Sequence, residues 1–215
     1  TTRVVIFTGA GKHFSSGADL DSFLVDSGDP LVLKRRRWRM GERALHAILG
    51  IDQITIGAWN GGALGGGACL ATAMDFRIGA ADCFMHSSDI DVGVNLMWQS
   101  LPLTVRLVGP TRAKRLVIGG ERINAETLLH WGLLEDIAPL DQLMSRTLEF
   151  AQTYVNKSPV AAQMIKRSVN QICGALDRAL MHMDADQNLL AFTGSDQTEA
   201  ADAYLHQRAP NFNGN

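Results

Sequence analysis

Ile54-Thr-Ile-Gly-Ala-Trp-Asn-Gly-Gly-Ala-Leu-Gly-Gly-Gly-Ala-Cys-Leu-Ala-Thr-Ala-Met74 is a run of 21 residues without a charge. Length alone would let it cross a bilayer as a helix. Six glycines (57, 61, 62, 65, 66 and 67) and Asn60 are a poor composition for a continuous helix. The stretch therefore reads as a buried strand over Ile54–Ala58, a glycine turn over Asn60–Gly67, and a buried helix over Gly65–Met74. Two further segments repeat the theme. Val4-Val-Ile-Phe7 is a short apolar run that suits a strand buried on both faces, and it ends in a Gly/Ser-rich loop from Gly9 to Gly17. Asp75-Phe-Arg-Ile-Gly79 predicts a third strand. Strand, loop and helix units with buried strands indicate an α/β fold.

Downstream of Gly93 helical periodicity takes over. It predicts helices over Leu101–Val108, Arg112–Ile118, Ala125–Trp131, Leu140–Val155, Pro159–Ile172, Leu176–Leu190 and Gln197–His206. Ser158 before Pro159 reads as an N-cap followed by proline at the first helical position. Further upstream, a helix is expected from Leu31 to Leu49, between Pro30 and Gly50. The chain thus divides into an α/β core over residues 1–139 and a helical C-terminal region over residues 140–215.

The 215 residues are 46% hydrophobic and 20% charged, enough apolar material for a core and no signature of disorder. Twenty basic residues against 22 acidic ones leave a formal charge of −2, which argues against a surface built for nucleic acid or an anionic membrane. Cys69, Cys83 and Cys173 share no CxxC spacing and are odd in number. That argues against a disulfide scaffold or a structural zinc site and points to a reducing cytoplasm. No signal peptide is visible, and the opening Thr1-Thr-Arg3, running straight into a strand, suggests that residues precede it.

Several catalytic templates fail. Gly9 and Gly11 do not extend to GxGxxG, because Phe14 follows; Gly11-Lys12 lacks the rest of a phosphate-binding loop; Ser15 and Ser16 are not framed as GxSxG. No histidine pattern has metal-ligand spacing, so no metal is expected. What remains is a pair of glycine turns, Phe14-Ser-Ser-Gly-Ala-Asp19 and Asn60–Gly67, each following a buried strand. They can be plain tight turns. They can also bring backbone N–H groups close to a ligand, and two converging N–H groups form an oxyanion hole.

Thr8-Gly-Ala-Gly-Lys-His-Phe-Ser-Ser-Gly-Ala-Asp-Leu20 resembles the first oxyanion motif of the crotonase family, the enoyl-CoA hydratases and isomerases. Ala58–Gly67 with Cys69-Leu-Ala71 and Asp75-Phe-Arg77 resembles the second. Gly119-Gly-Glu-Arg-Ile-Asn-Ala125 and Trp131-Gly-Leu-Leu134 resemble a further family stretch. The resemblance runs from Val4 to about Phe212. It implies a crotonase-type spiral of ββα units with a C-terminal α-helical oligomerisation region, assembled as a homotrimer or a hexamer of two stacked trimers. The family's N-terminal segment, which helps shape the coenzyme A pocket, has no counterpart here.

The resemblance also implies roles. The oxyanion-hole N–H donors fall at Ala18 and Gly66, holding the thioester carbonyl of an acyl-CoA. Substrate contacts fall at Ser16, Asp19, Leu20 and Gly65. In the C-terminal helix, Tyr204 takes the family's aromatic position beside coenzyme A. Gln207 stands where the family places a lysine, with Arg208 adjacent as a substitute cation. Coenzyme A is part of the substrate, and no separate cofactor is implied. Hydratases of the family use two carboxylates; the first position here is Cys69, and the second is Asp89. Loss of the first weakens hydration more than isomerisation, in which one carboxylate moves a proton while the oxyanion hole holds a dienolate.

The other candidates stay open between chemistry and structure. An extended Ser87–Gly93 stretch would turn Asp89 and Asp91 to the same side, and a close pair would raise one pKa. His86 is a second acid or base, or a structural hydrogen-bonding group. Cys69 reads as a buried small hydrophobe rather than a nucleophile. Met97 and Trp98 line an acyl pocket or simply belong to the core. The run Lys34-Arg-Arg-Arg-Trp-Arg39 is a solvated helix face, an attraction for coenzyme A phosphates or, against the overall charge, an RNA contact. Two rivals to isomerisation remain: a silent member of the fold that binds acyl-CoA or a protein, and a C–C hydrolase acting on a β-diketone.

Overall fold

The computed structural model describes residues 2–19 and 28–215. Within them, four parallel strands form the main sheet in the order β1 (Val4–Thr8), β2 (Ile54–Trp59), β4 (Phe76–Ala80) and β7 (Asp136–Ala138). The register sets Val4 beside Ile54, Ile56 beside Phe76, and Ile78 beside Asp136. A smaller sheet runs β3 (Gly62–Leu64), β5 (Phe84–His86), β6 (Ile123–Asn124), with β3 and β5 parallel. Strands β2 and β3, then a helix, and β4 and β5, then further helices, each pass from the main sheet to the smaller one, the repeat of a spiral of ββα units; β1 and β7 complete the main sheet and β6 the smaller one.

The three apolar runs read from the sequence are strands. The window from Ile54 to Met74 is β2, β3 and helix α3 (Gly66–Thr72), where glycine packing rather than lipid explains the lack of charge. No helix among the described residues is long and apolar enough to cross a membrane. The helix expected from Leu31 to Leu49 is two, α1 (Leu31–Trp38) and α2 (Met40–Leu49), broken at Arg39 (ψ 1°). The break sets Gly41 against the indole of Trp98, where a side chain on Gly41 would collide. The strands β3, β5, β6 and β7 were not legible, being two or three residues long and defined by their partners.

Then follow α4 (Leu101–Val108), α5 (Pro110–Val117) and α6 (Ala125–His130), the last capped by Asn124, whose side chain accepts the Thr127 N–H at 3.0 Å. The helical C-terminal stretch comprises α7 (Leu143–Val155), α8 (Pro159–Gly174), α9 (Asp177–Met181), α10 (Asp184–Ala191) and α11 (Ser195–Leu205). Pro159 is at the first turn of α8 as expected, but the Ser158 side chain makes no cap hydrogen bond. The single helix expected over Leu176–Leu190 is split between α9 and α10.

Ile56, Trp59, Ile78, Met85, Leu116, Leu128 and Leu133 are fully buried between the sheets and helices. A second cluster of Leu45, Ile48, Cys69, Met74, Leu96 and Leu103 joins α2, α3 and α4. Buried Arg77 donates to Leu133 O and Met74 O, both at 2.6 Å, and burial pulls its pKa down to about 10. Lys166 fastens α8 to the core. Its Nζ lies 2.7 Å from Asp75 Oδ2 and 2.7 Å from Gln53 O, while Asp75 accepts the Thr55 N–H at 2.7 Å.

Candidate active site

The two glycine turns lie against one another. Ser15 bridges to Ala63: its N–H donates to Gly62 O at 3.2 Å, and its carbonyl accepts the Leu64 N–H at 3.0 Å. Asn60 stitches the first loop down, accepting the Gly9 N–H at 2.9 Å and donating to Gly11 O at 2.8 Å. His13 Nδ1 accepts the Gly62 N–H at 3.0 Å. Gly17 has φ +91°, and a Cβ there would sit 2.7 Å from Leu64 O and 3.0 Å from Gly66 N. Only glycine permits so close an approach in that conformation. Gly65 has φ +48° and donates its N–H to His86 O at 2.9 Å. Gly66 then opens α3, so its own N–H has no partner within the helix.

Ala18, Gly65 and Gly66 border a cavity of about 310 Å³, together with Ser16 and Asp19 from the first loop. The far side is made by Cys69, Asp89, Val92, Met97 and Trp98, and by Met40 and Gly41 of α2. Arg37 and Tyr204 are exposed at its rim. Leu20 lies outside the described residues.

Asp89 follows β5 through the Ser87-Ser88 turn and starts the 3-10 turn Ile90–Val92. Its backbone carbonyl accepts the Val94 N–H at 3.1 Å. Its Oδ2 is buried without a hydrogen-bond partner among the described residues. Burial pushes the carboxyl pKa up to about 6, with Asp91 adding to the effect and His86 opposing it. A Cβ on Gly65 would stand 3.8 Å from that oxygen, so the carboxyl lies beside the opening of α3.

Ser87–Gly93 is therefore not extended, and Asp89 and Asp91 do not share a side. Asp91 Oδ2 is 2.8 Å from His86 Nε2, and that pair does not line the cavity. Cys69 does line it, one helical turn after Gly65, with Sγ 3.1 Å from Ser100 Oγ. Burial, reinforced by Asp89, drives its thiol pKa far up, so the sulfur is a packed, protonated group. Arg208 does not line the cavity; it ion-pairs with Glu199 and Asp202, both at 2.5 Å.

The basic run is largely engaged: Arg35 pairs with Asp186, Arg37 with Asp29, and Arg39 with Glu42. Met97 and Trp98, open between pocket and core in the sequence, both line the cavity. The positioning roles of Asn60 and His13 were missed; a lone polar residue between a buried strand and Gly-Gly was the available signal. Among the described residues no group of three or more His, Cys, Asp or Glu side chains could hold a metal ion.

The cavity thus brings the start of helix α3, at Gly66, together with a buried carboxyl whose pKa burial raises to about 6. The enoyl-CoA hydratase/isomerase family model matches residues 1–215. A crotonyl-CoA hydratase from Syntrophomonas wolfei is 31% identical over 212 residues, covering 98% of this chain and 80% of the relative. Among solved structures, a carnitinyl-CoA hydratase from Mycobacterium avium superposes with a TM-score of 0.84 at 26% identity, covering 99% of this chain and 81% of that one. A monofunctional enoyl-CoA isomerase from M. smegmatis gives 0.65 at 29% identity, covering 80% and 71%. With the spiral fold, these matches establish that the chain belongs to the enoyl-CoA hydratase/isomerase family.

Proposed function

We propose that this enzyme moves a double bond in an enoyl-CoA, with the thioester oxygen held by the N–H groups of Ala18 and Gly66 and the proton carried by Asp89. The observation that carries the reading is the buried Asp89 carboxyl, whose Oδ2 has no partner among the described residues, in a cavity whose helix α3 supplies Cys69 rather than a second acid. Isomerisation needs a single base that takes a proton from one carbon and returns it to another. The two amides stabilise the dienolate between those steps, aided by the dipole of α3. A carboxyl with pKa about 6 is ionised at neutral pH, as a base must be, yet basic enough to receive and release the proton.

Hydration is the second reading, favoured by the name of the S. wolfei relative. It asks for a group that orients water against Cβ, and the protonated Cys69 thiol is a poor one. Turnover of a 3-enoyl-CoA and of crotonyl-CoA by the same preparation separates the two. Faster isomerisation supports the proposal; faster hydration overturns it.

Coenzyme A is read as entering past Tyr204 and Arg37, both exposed at the cavity rim. The region over residues 140–215 is read as an oligomerisation surface for a homotrimer or hexamer. Support comes from apolar side chains exposed along it: Val160, Ile165, Ile172 and Leu176 are each more than 60% exposed. Sedimentation of the protein should report three or six subunits, and a monomer at micromolar concentration would refute this part.

A further inference from the structure

We propose that Trp98 is a specificity-determining residue that closes the inner end of the acyl cavity and confines the enzyme to short-chain acyl thioesters. The inference rests on the acyl-CoA reading above and adds the class of acyl group.

The indole lies across the bare backbones of two glycines on different helices. A Cβ on Gly66 would fall 2.2–2.9 Å from Cη2, Cζ3 and Cζ2 of the ring, and a Cβ on Gly41 would fall 1.8–2.0 Å from Cε2, Cδ2 and Nε1. The benzo edge therefore covers the residue that presents one oxyanion N–H, while the pyrrole side rests on α2. The ring occupies the space into which a chain growing away from the thioester would extend.

The ring is also held in place. Trp98 and Gln99 are consecutive non-glycine residues with positive φ, 65° and 57°, a conformation that persists only when the surroundings enforce it. The enforcing contacts are on Gln99. Its N–H donates to Asp184 Oδ2 at 2.6 Å, and its Nε2 donates to Glu42 Oε1 at 3.1 Å. Both acceptors belong to buried residues, one at the start of α10 and one on α2. These bonds fix the backbone on which the ring is mounted, and shifting that backbone would break them.

Polarity gives the cavity a direction. Asp19, Arg37 and Tyr204 are exposed parts of its lining, whereas Cys69, Val92 and Met97 are buried parts. The polar coenzyme belongs with the exposed parts and the acyl tail with the buried ones. A volume of about 310 Å³ is at the low end for ligand pockets. An acyl chain anchored at Ala18 and Gly66 and reaching past Asp89 has little room before it meets the indole.

The test is binding of saturated, unreactive thioesters, butanoyl-, hexanoyl-, octanoyl- and decanoyl-CoA, measured by calorimetry on the wild-type protein, Trp98→Ala and Trp98→Leu. Wild type should bind decanoyl-CoA about tenfold or more weakly than butanoyl-CoA, the penalty of forcing added methylenes against a fixed wall. In Trp98→Ala the order should reverse, since each methylene buried in the opened space gains about fourfold. Trp98→Leu should fall between, and it serves alone if the alanine variant does not fold by thermal melt. A wild-type preference for decanoyl-CoA, or one length profile shared by all the folded proteins, overturns the role of Trp98. Butanoyl-CoA binding by wild type checks the underlying reading separately: its absence overturns the acyl-CoA assignment and this proposal together.

Discussion

Replacing Asp89 by asparagine should abolish turnover and stabilise the fold, by an amount that depends on pH. The native carboxyl has a pKa of about 6 against an ordinary 3.8, because burial disfavours its charge. The folded state therefore binds this proton more tightly than the unfolded chain. Its cost to stability is absent well below pH 3.8, grows as pH rises from there, and levels off above about 6. The full cost is about 3 kcal/mol at pH 8 and roughly half that at pH 5. Asparagine carries no charge at either pH and escapes the cost. Urea unfolding of wild type and Asp89→Asn at pH 5 and pH 8 should give a stabilisation that roughly doubles between them. The same titration should appear in turnover, with activity rising through about pH 6 to a plateau as the base ionises. A stabilisation independent of pH, or full activity in Asp89→Asn, would refute the assignment of Asp89 as the base.

Gly66→Ala places a methyl 2.2 Å from the Trp98 ring and should displace the amide, lowering turnover by about a hundredfold or more; unchanged kcat/KM would remove Gly66 from the mechanism. Cys69→Ala should leave isomerisation within a few-fold, because a buried protonated thiol does no chemistry, and a loss measured as large as that of Asp89→Asn would reverse that conclusion. Cys69→Glu, if the pocket admits it, should raise hydration of crotonyl-CoA relative to isomerisation, and a fall in that ratio counts against the two-carboxylate argument. Lys166→Met removes the cation from half-buried Asp75, which keeps its bonds from Thr55, and should cost about 1–3 kcal/mol in denaturant unfolding; a neutral result would mean that α8 is held by packing alone.

The parts of this fold visible in the sequence are those whose cause is local. Val4–Phe7 and Ile54–Ala58 carry their apolar burial in their own side chains, and α4 is bounded as its periodicity predicts. The short strands β3, β5, β6 and β7 are created by pairing with distant segments, so no window of sequence contains them. The same division runs through the site. Glycines 17, 65 and 66 announce close backbone approach, whereas the burial of Asp89, the pairing of Asp91 with His86 and the left-handed turn at Trp98 depend on elements that meet only in three dimensions. The run at Lys34–Arg39 shows the limit from the other direction: its charges are plain, but Asp186, which holds Arg35, is supplied by a helix far along the chain.

The register of the main sheet has a consequence for how the chain folds. Val4 pairs with Ile54, and Ile78 with Asp136, so neighbouring strands must wait for long intervening loops to close. Topologies dominated by such distant pairing fold slowly, because entropy is lost before contacts compensate for it. Helices α7 and α8 form from near neighbours and have no such delay. The glycine turn at Gly17 cannot press on Leu64 until β1 has docked beside β2, which makes catalytic competence one of the last properties the molecule acquires. Stopped-flow refolding should therefore recover helical circular dichroism well before butanoyl-CoA binding.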